Sequence, residues 1–292
     1  MSILIADSGS TKTDWCLLRS AVGKSPSSTQ PPFMRISTQG INPVHQDEVT
    51  IQQILNEELL PQLPQDMKLS EIDFYGAGCV GIYLEKIGKI LREALDISLN
   101  NIHVFSDLLA AARALCGRSE GLACILGTGS NSCLYNGVDV EMNIPPLGYI
   151  LGDEGSGAVL GKMFLNALFK EDLPAALKEE FLQQEQLTYT EIIEKVYRQP
   201  LANRFLASLS RFIRTHLFVP EVRKLVVDNF QLFINKNIAK YQRPDLCLNA
   251  VGSLAFYYQD ELAEACRREG IRLGVVLKAP MEGLITYHSI YL

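Results

Sequence analysis

The stretch Ile3-Leu4-Ile5-Ala6, then Asp7-Ser8-Gly9-Ser10-Thr11-Lys12-Thr13, then Trp15-Cys16-Leu17-Leu18 sets two apolar runs on either side of a small polar turn. The runs are rich in strand formers and the turn in Gly, Ser and Thr, so the stretch predicts a β-hairpin. The same theme returns further along. Leu122-Ala123-Cys124-Ile125-Leu126 is an apolar run, Gly127-Thr128-Gly129-Ser130-Asn131 a turn of small polar residues, and residues 132–135 a returning strand. A long motif used twice points to two related domains rather than a short-period solenoid. The 292 residues suit two domains better than one small core.

Between and beyond the hairpins the pattern alternates. Residues 21–32, rich in Ser, Pro and Gln, read as a loop. Helical spacing over 49–60 ends before Pro61, and residues 72–75 read as a strand followed by the turn Gly76-Ala77-Gly78. Residues 83–95 predict an amphipathic helix, 102–105 a strand, and 107–115 a helix. Residues 154–241 read as mainly helical, with a capping box at Thr188-x-x-Glu191 and helix starts at Pro200 and Pro220. Residues 246–251 and 273–277 predict strands, 259–269 a helix, and Pro280 onward a terminal helix. Alternating strands and helices make the chain α/β, with sheets covered by helices.

Composition excludes several classes. A hydrophobic fraction of 47% and a charged fraction of 21% are those of a globular protein. The net charge of -6 argues against nucleic-acid binding, which needs clustered Lys and Arg. Cys16, Cys79, Cys116, Cys124, Cys133, Cys247 and Cys266 include no C-x-x-C pair, and they predict reduced core thiols in a cytoplasmic protein. No signal peptide and no membrane span are expected. His45, His103, His216 and His288 lack metal-ligand spacing and read as structural or surface residues.

Four places carry the residue types of phosphate chemistry. Backbone amides and short hydroxyls in the turn after Asp7 could hold a phosphate, with Asp7 reaching Mg2+ through water; an ordinary polar hairpin fits the same residues. The turn 127–131 offers the same composition. Asp107, at the junction of a strand and a helix, is placed to take a proton from a hydroxyl, or to cap the helix, or both. Gly152-Asp153-Glu154-Gly155-Ser156-Gly157 opens an apolar helix; acids suit a helix start, whereas three glycines suggest close approach of a ligand.

The order of these motifs, with Gly148-Tyr149-Ile150-Leu151 before the glycine run and Gly252-Ser253 after it, resembles the N-acetylglucosamine kinase and BadF/BadG/BcrA/BcrD ATPase family. The resemblance covers nearly the whole chain. It implies two ribonuclease-H-like lobes of the actin/hexokinase type with an interlobe cleft. Residues 1–115 with the terminal helix 280–292 would form the N-terminal lobe, and 116–279 the C-terminal lobe. By the same resemblance, ATP and Mg2+ are the cofactors and a small sugar is the partner, with room for a homodimer. Asp7 would organise Mg2+, and Gly9, Ser10, Thr11, Lys12 and Thr13 would face the nucleotide phosphates with Gly127, Thr128 and Gly129. Gly252 and Ser253 match the adenosine motif. Asp107 corresponds to the catalytic base, and Asn42, Ser130, Asn131, Gly148 and Asp153 to sugar contacts. The chain departs from the family where Leu147 stands in place of a common Trp, and where the first motif reads Asp-Ser-Gly-Ser. The function implied is ATP-dependent phosphorylation of an N-acetylglucosamine- or glucosamine-type sugar. An activator-type ATPase that serves an iron–sulfur cluster and a non-catalytic nucleotide or sugar sensor are the alternatives.

Overall fold

The computed structural model describes residues 2–9, 11–19, 33–65 and 67–289. It divides into two compact units, Met1–Arg118 with Pro280–Leu292, and Ser119–Ala279. Met1, Ser10, residues 20–32, Asp66 and residues 290–292 lie outside the described residues, and with them the loop expected at 21–32 and the end of the terminal helix expected at 280–292.

The first unit is built on strands β1 (Ser2–Ser8), β2 (Lys12–Arg19), β3 (Phe33–Gln39), β4 (Glu71–Gly76) and β5 (Ile102–Ser106), in the spatial order β3-β2-β1-β4-β5. β1 and β2 form the hairpin, paired from Ser2↔Arg19 to Ser8↔Thr13, while β4 and β5 join in parallel. Helices α1 (Glu48–Ile54), α2 (Ile82–Leu95), α3 (Asp107–Cys116) and α13 (Met281–Ser289) complete the unit. The apolar run Ile3–Ala6 is buried without alternation because both faces of β1 are covered. Leu4 and Ala6 pack with Ile51, Ile54, Ile87 and Leu91, and Ile3 and Ile5 pack with Ala110, Met281 and Leu284.

Sequence reading runs one helix through 49–60. The α-helix instead stops at Ile54 and passes into a π-type turn, Leu55–Leu59, and a 3-10 turn, Leu60–Gln62. The wider turn keeps both Leu55 and Leu59 in the core, and Pro61 falls at the start of the 3-10 turn, where its missing N–H costs little.

The second unit repeats the topology. Strands β6 (Gly121–Leu126), β7 (Ser130–Tyr135), β8 (Val140–Asn143), β9 (Leu248–Val251) and β10 (Leu273–Leu277) lie in the order β8-β7-β6-β9-β10, with β6–β7–β8 antiparallel and β6–β9–β10 parallel. Its helices are α4 (Gly148–Leu151), α5 (Gly157–Phe169), α6 (Ala175–Gln184), α7 (Tyr189–Tyr197), α8 (Ala202–Ser208), α9 (Ser210–Thr215), α10 (Pro220–Lys236), α11 (Ser253–Tyr257) and α12 (Gln259–Arg268). Phe164, Phe181, Phe212, Phe230 and Phe233 fill the core between helices and sheet. The capping box at Thr188 and Glu191 is formed, and Pro220 starts α10. Pro200 does not start a helix. α8 begins at Ala202 after Leu201, which adopts the left-handed conformation (φ 61°). No cysteine among the described residues is in a disulfide, and five of the seven are buried. No helix among the described residues is long and apolar enough to cross a membrane.

Candidate active site

In the first unit the hairpin turn is closed by the Gly9 N–H donating to the Lys12 carbonyl at 3.0 Å. Gly9, Thr11 and Lys12 are exposed, and the Lys12 ammonium pairs with Asp14 at 2.7 Å. Thr13 is different. It is fully buried, its hydroxyl lies 2.6 Å from Ser8 Oγ and 3.1 Å from the Gln39 carbonyl, and it accepts from the Ile41 N–H at 3.2 Å. The structure therefore corrects the reading of Thr13 as facing phosphates: its hydroxyl secures the base of the hairpin. Ser8 Oγ also bridges to the Ile41 carbonyl (2.9 Å) and N–H (3.0 Å). This joint ties the hairpin to Ile41-Asn42.

Asn42 is buried, and its Oδ1 accepts from the Val44 N–H at 3.0 Å. It lies against the Gly76-Ala77-Gly78 turn so closely that a Cβ on Gly78 would stand 2.7 Å from Oδ1. Asp7 sits opposite Asp14 across the hairpin and opposite Tyr75 in β4. Burial first, then the carboxylates of Asp14 and Asp107, push its pKa up to about 7, against the pull of Lys12. Asp107 is raised by burial too, although the backbone N–H groups of Leu108 and Asp107 favour its charged form. The helix cap is not Asp107. Ser106 accepts from the Leu109 N–H at 3.2 Å, which leaves the Asp107 carboxylate free of that duty.

The carboxylates of Asp14 and Asp107 thus both act on Asp7 electrostatically. A hard divalent cation prefers carboxylate oxygen, which Asp7 and its cross-strand neighbour Asp14 could supply. Asp14 escaped sequence reasoning, although hairpin register alone places residue 14 opposite residue 7.

In the second unit the Gly127 N–H donates to the Gly129 carbonyl at 3.0 Å, closing the other turn. The first amides of α5 dock on this turn: Gly157 N–H to the Gly127 carbonyl (2.8 Å) and Ala158 N–H to the Thr128 carbonyl (3.1 Å). Asp153 is 9% exposed, adopts the left-handed conformation (φ 56°), and donates its N–H to the Pro146 carbonyl at 2.9 Å. Its carboxylate lies beside Gly129 and accepts from the Ser130 N–H; burial raises its pKa despite that bond and Lys162. Ser130 is buried, whereas Asn131 spends its Oδ1 on the Ser132 N–H and the Asn143 amide, both at 2.9 Å. Gly148 is exposed on α4. The Gly252-Ser253 corner meets the end of β6, where a Cβ on Gly252 (φ 127°) would stand 2.3 Å from the Leu126 carbonyl oxygen. Gly127–Ser130, Asp153 and Gly252-Ser253 are therefore gathered around the end of β6.

The glycines of the 152–157 run are explained by the protein itself, which corrects the expectation of ligand approach. A Cβ would meet the Pro146 carbonyl oxygen at Gly152 (2.2 Å), Phe233 at Gly155 (2.6 Å), and Ala207 at Gly157 (3.1 Å). A further residue, Asn229 on α10, went unnoticed in the sequence. It is wholly buried, accepts from the Gly155 N–H (3.0 Å) and donates to the Ser156 carbonyl (3.2 Å), so it clamps the loop that presents Asp153.

No protein-family model matches this sequence, and no curated protein does. Solved structures do. A protein of Porphyromonas gingivalis described as "Putative N-acetylglucosamine Kinase" shares 49% identity over 98% of both chains, with a TM-score of 0.89. A protein of Chromobacterium violaceum with the same description shares 19% identity over 98% of both chains, with a TM-score of 0.73. The hexokinase of Schistosoma mansoni, solved with glucose, shares 14% identity over 99% of this chain and 84% of its own, with a TM-score of 0.52. The last two show the fold alone, a two-lobe arrangement of the actin/hexokinase type. At 49% identity along almost its entire length, this chain belongs to the N-acetylglucosamine kinase and BadF/BadG/BcrA/BcrD ATPase family.

Proposed function

We propose that the chain is a sugar kinase, which transfers the terminal phosphoryl group of ATP to a hydroxyl of an N-acetylglucosamine- or glucosamine-type sugar. The observation that carries this reading is Asp107, a half-buried carboxylate at a strand end whose helix is capped by its neighbour Ser106. It is thereby kept for proton transfer. Kinship with the Porphyromonas protein supplies the substrate class.

Asp107 takes the proton of the acceptor hydroxyl as the oxygen attacks phosphorus. In the first unit the exposed Gly9, Thr11 and Lys12 offer amides, a hydroxyl and an ammonium suited to phosphate; in the second unit the half-buried Gly127 and Gly129 and the exposed Thr128 offer amides and a hydroxyl of the same kind. Mg2+, held by Asp7 with Asp14 nearby, would neutralise phosphate charge when bound. Asn42, Ser130 and Asp153 provide buried polar groups for sugar hydroxyls, and Gly252-Ser253 a corner for the adenosine. The cysteines speak against the activator reading. Five of the seven are buried in the core, whereas a cluster shared between two subunits needs closely placed cysteines at the surface.

The test is a coupled assay of ADP release with Mg2+ and ATP across a panel of hexoses, amino sugars and N-acetylated amino sugars. Release should depend on the sugar and be fastest with an amino or N-acetylamino sugar. Release that ignores the sugar, or fails with every one, refutes the kinase reading.

A further inference from the structure

The first unit holds a second cluster of ligating side chains, at the other end of the sheet from Asp7 and Asp107. Asp7 pairs with Tyr75 in the parallel register of β1 and β4, so Glu71, the first residue of β4, lies four positions earlier. At about 3.3 Å per residue, this separates it from Asp7 by about 13 Å along the strand. Glu71 and Asp73 alternate onto one face of β4, and the next strand sets His103 directly opposite Asp73. One ligand atom from each of the three lies within 4.8 Å of the others. Sequence gave no metal signature, because the three are distant along the chain and adjacent only through strand register.

Two observations separate this group from an ordinary polar surface. First, His103 Nε2 and Glu71 Oε1 are 3.4 Å apart. That is about the separation of two ligands each bound ~2.1 Å from a shared tetrahedral centre. Secondly, Asp73 is 3% exposed, and its Oδ2 has no hydrogen-bond partner among the described residues. A buried carboxylate oxygen without a donor is costly and is expected to carry a counter-charge. A neighbouring imidazole, His288, stands with Nδ1 3.5 Å from that oxygen. Arg113 donates to the Tyr75 hydroxyl at 2.9 Å, and that hydroxyl lies 3.0 Å from His288 Nε2. The guanidinium can only donate, so the hydroxyl oxygen accepts from it, and the direction of the bond to Nε2 follows the imidazole tautomer. At 3.5 Å, Nδ1 stands at the limit of a hydrogen bond, so His288 faces the carboxylate without satisfying Oδ2. The side chains of Glu71 and His103 are 29% and 43% exposed, which leaves a path from solvent.

We propose that Glu71, Asp73 and His103 bind one divalent transition-metal ion of the zinc class, distinct from any magnesium accompanying the nucleotide. One imidazole nitrogen with two carboxylates suits zinc, cobalt or manganese; magnesium and calcium favour oxygen alone. The ion closes the gap at Asp73 Oδ2 and ties β4 to β5. This inference stands independently of the kinase reading.

The test uses the full chain, stripped with a chelator and titrated with cobalt(II) chloride under excess magnesium, followed by optical spectroscopy and then by zinc(II) chloride in calorimetry. The expected result is saturable binding of one equivalent, with ligand-field bands of an oxygen–nitrogen site. His103→Ala and Glu71→Gln should each weaken binding at least about tenfold. His45→Ala, at an exposed histidine elsewhere, should not change it. Both site variants alter partly exposed side chains, and thermal unfolding in chelator checks that they fold as the parent does. The proposal is overturned if one equivalent does not bind, if His103→Ala binds as tightly as the parent, or if a thiolate charge-transfer band assigns the ion to cysteine.

Discussion

The clamp at Asn229 gives a sharp prediction. Asn229→Asp exchanges one amide nitrogen for oxygen at constant volume, so no cavity forms. The bond from the Gly155 N–H survives, but the Ser156 carbonyl, now 3.2 Å from a donor, would face another acceptor. Asn229 is wholly buried, so the introduced carboxylate resists ionisation. Buried carboxyl groups commonly titrate about 3 units high, and each unit is worth about 1.4 kcal/mol, which gives about 4 kcal/mol. The sign follows from proton uptake. Between the ordinary carboxyl range and the raised value, the folded chain holds a proton that the unfolded chain has lost, so stability declines as pH rises through that window. When protonated, the acid can still donate to the Ser156 carbonyl. Urea unfolding of parent and variant should therefore show a deficit of about 1 kcal/mol near pH 5 and about 4 kcal/mol near pH 8. An equal deficit at both pH values, or parental stability at pH 8, would refute the reasoning.

Four other outcomes are expected. Asp107→Asn should lower turnover by about 10²–10⁴-fold, with nucleotide affinity by calorimetry almost unchanged. Because burial raises Asp107, the acid limb of the pH–rate profile should fall at a pH above the ordinary aspartate range: activity is present above that point, where the base is charged, and lost below it. Asp7→Asn should abolish turnover yet raise the melting temperature in chelator near pH 8, since it removes a carboxylate whose folded pKa stands near 7; the gain should be smaller near pH 5, where only part of the titration window has been crossed, and absent below about pH 4, where the folded and unfolded chains are both protonated. Thr13→Val keeps shape but deprives Ser8, Gln39 and Ile41 of a shared hydroxyl, and should cost about 1–3 kcal/mol in chemical unfolding.

Much of the fold was legible where the chain changes character abruptly. Both hairpins join apolar strands through turns of Gly, Ser and Thr, and their repetition announced two related units. The strands β3 and β8 were not read, because each is an edge strand with one neighbour and several exposed positions, which weakens the apolar signal. Asp107 stood out in the sequence, but only coordinates show that Ser106 does the capping. The glycines at 152, 155 and 157 looked like room for a ligand; they make room for Pro146, Phe233 and Ala207, which no local pattern reveals. Asn229 is one polar residue inside a long helix, and its partners are far away along the chain. Glu71, Asp73 and His103 likewise meet only because two strands pair in one register.

The most direct test of the kinase reading is product stoichiometry. The chain is incubated with ATP, Mg2+ and N-acetylglucosamine or glucosamine, and sugar phosphate is measured by mass spectrometry alongside ADP. The expected result is one phosphorylated sugar for each ADP formed, and neither product above background with Asp107→Asn. ADP without phosphorylated sugar, or sugar phosphate formed at the parental rate by Asp107→Asn, would contradict the account.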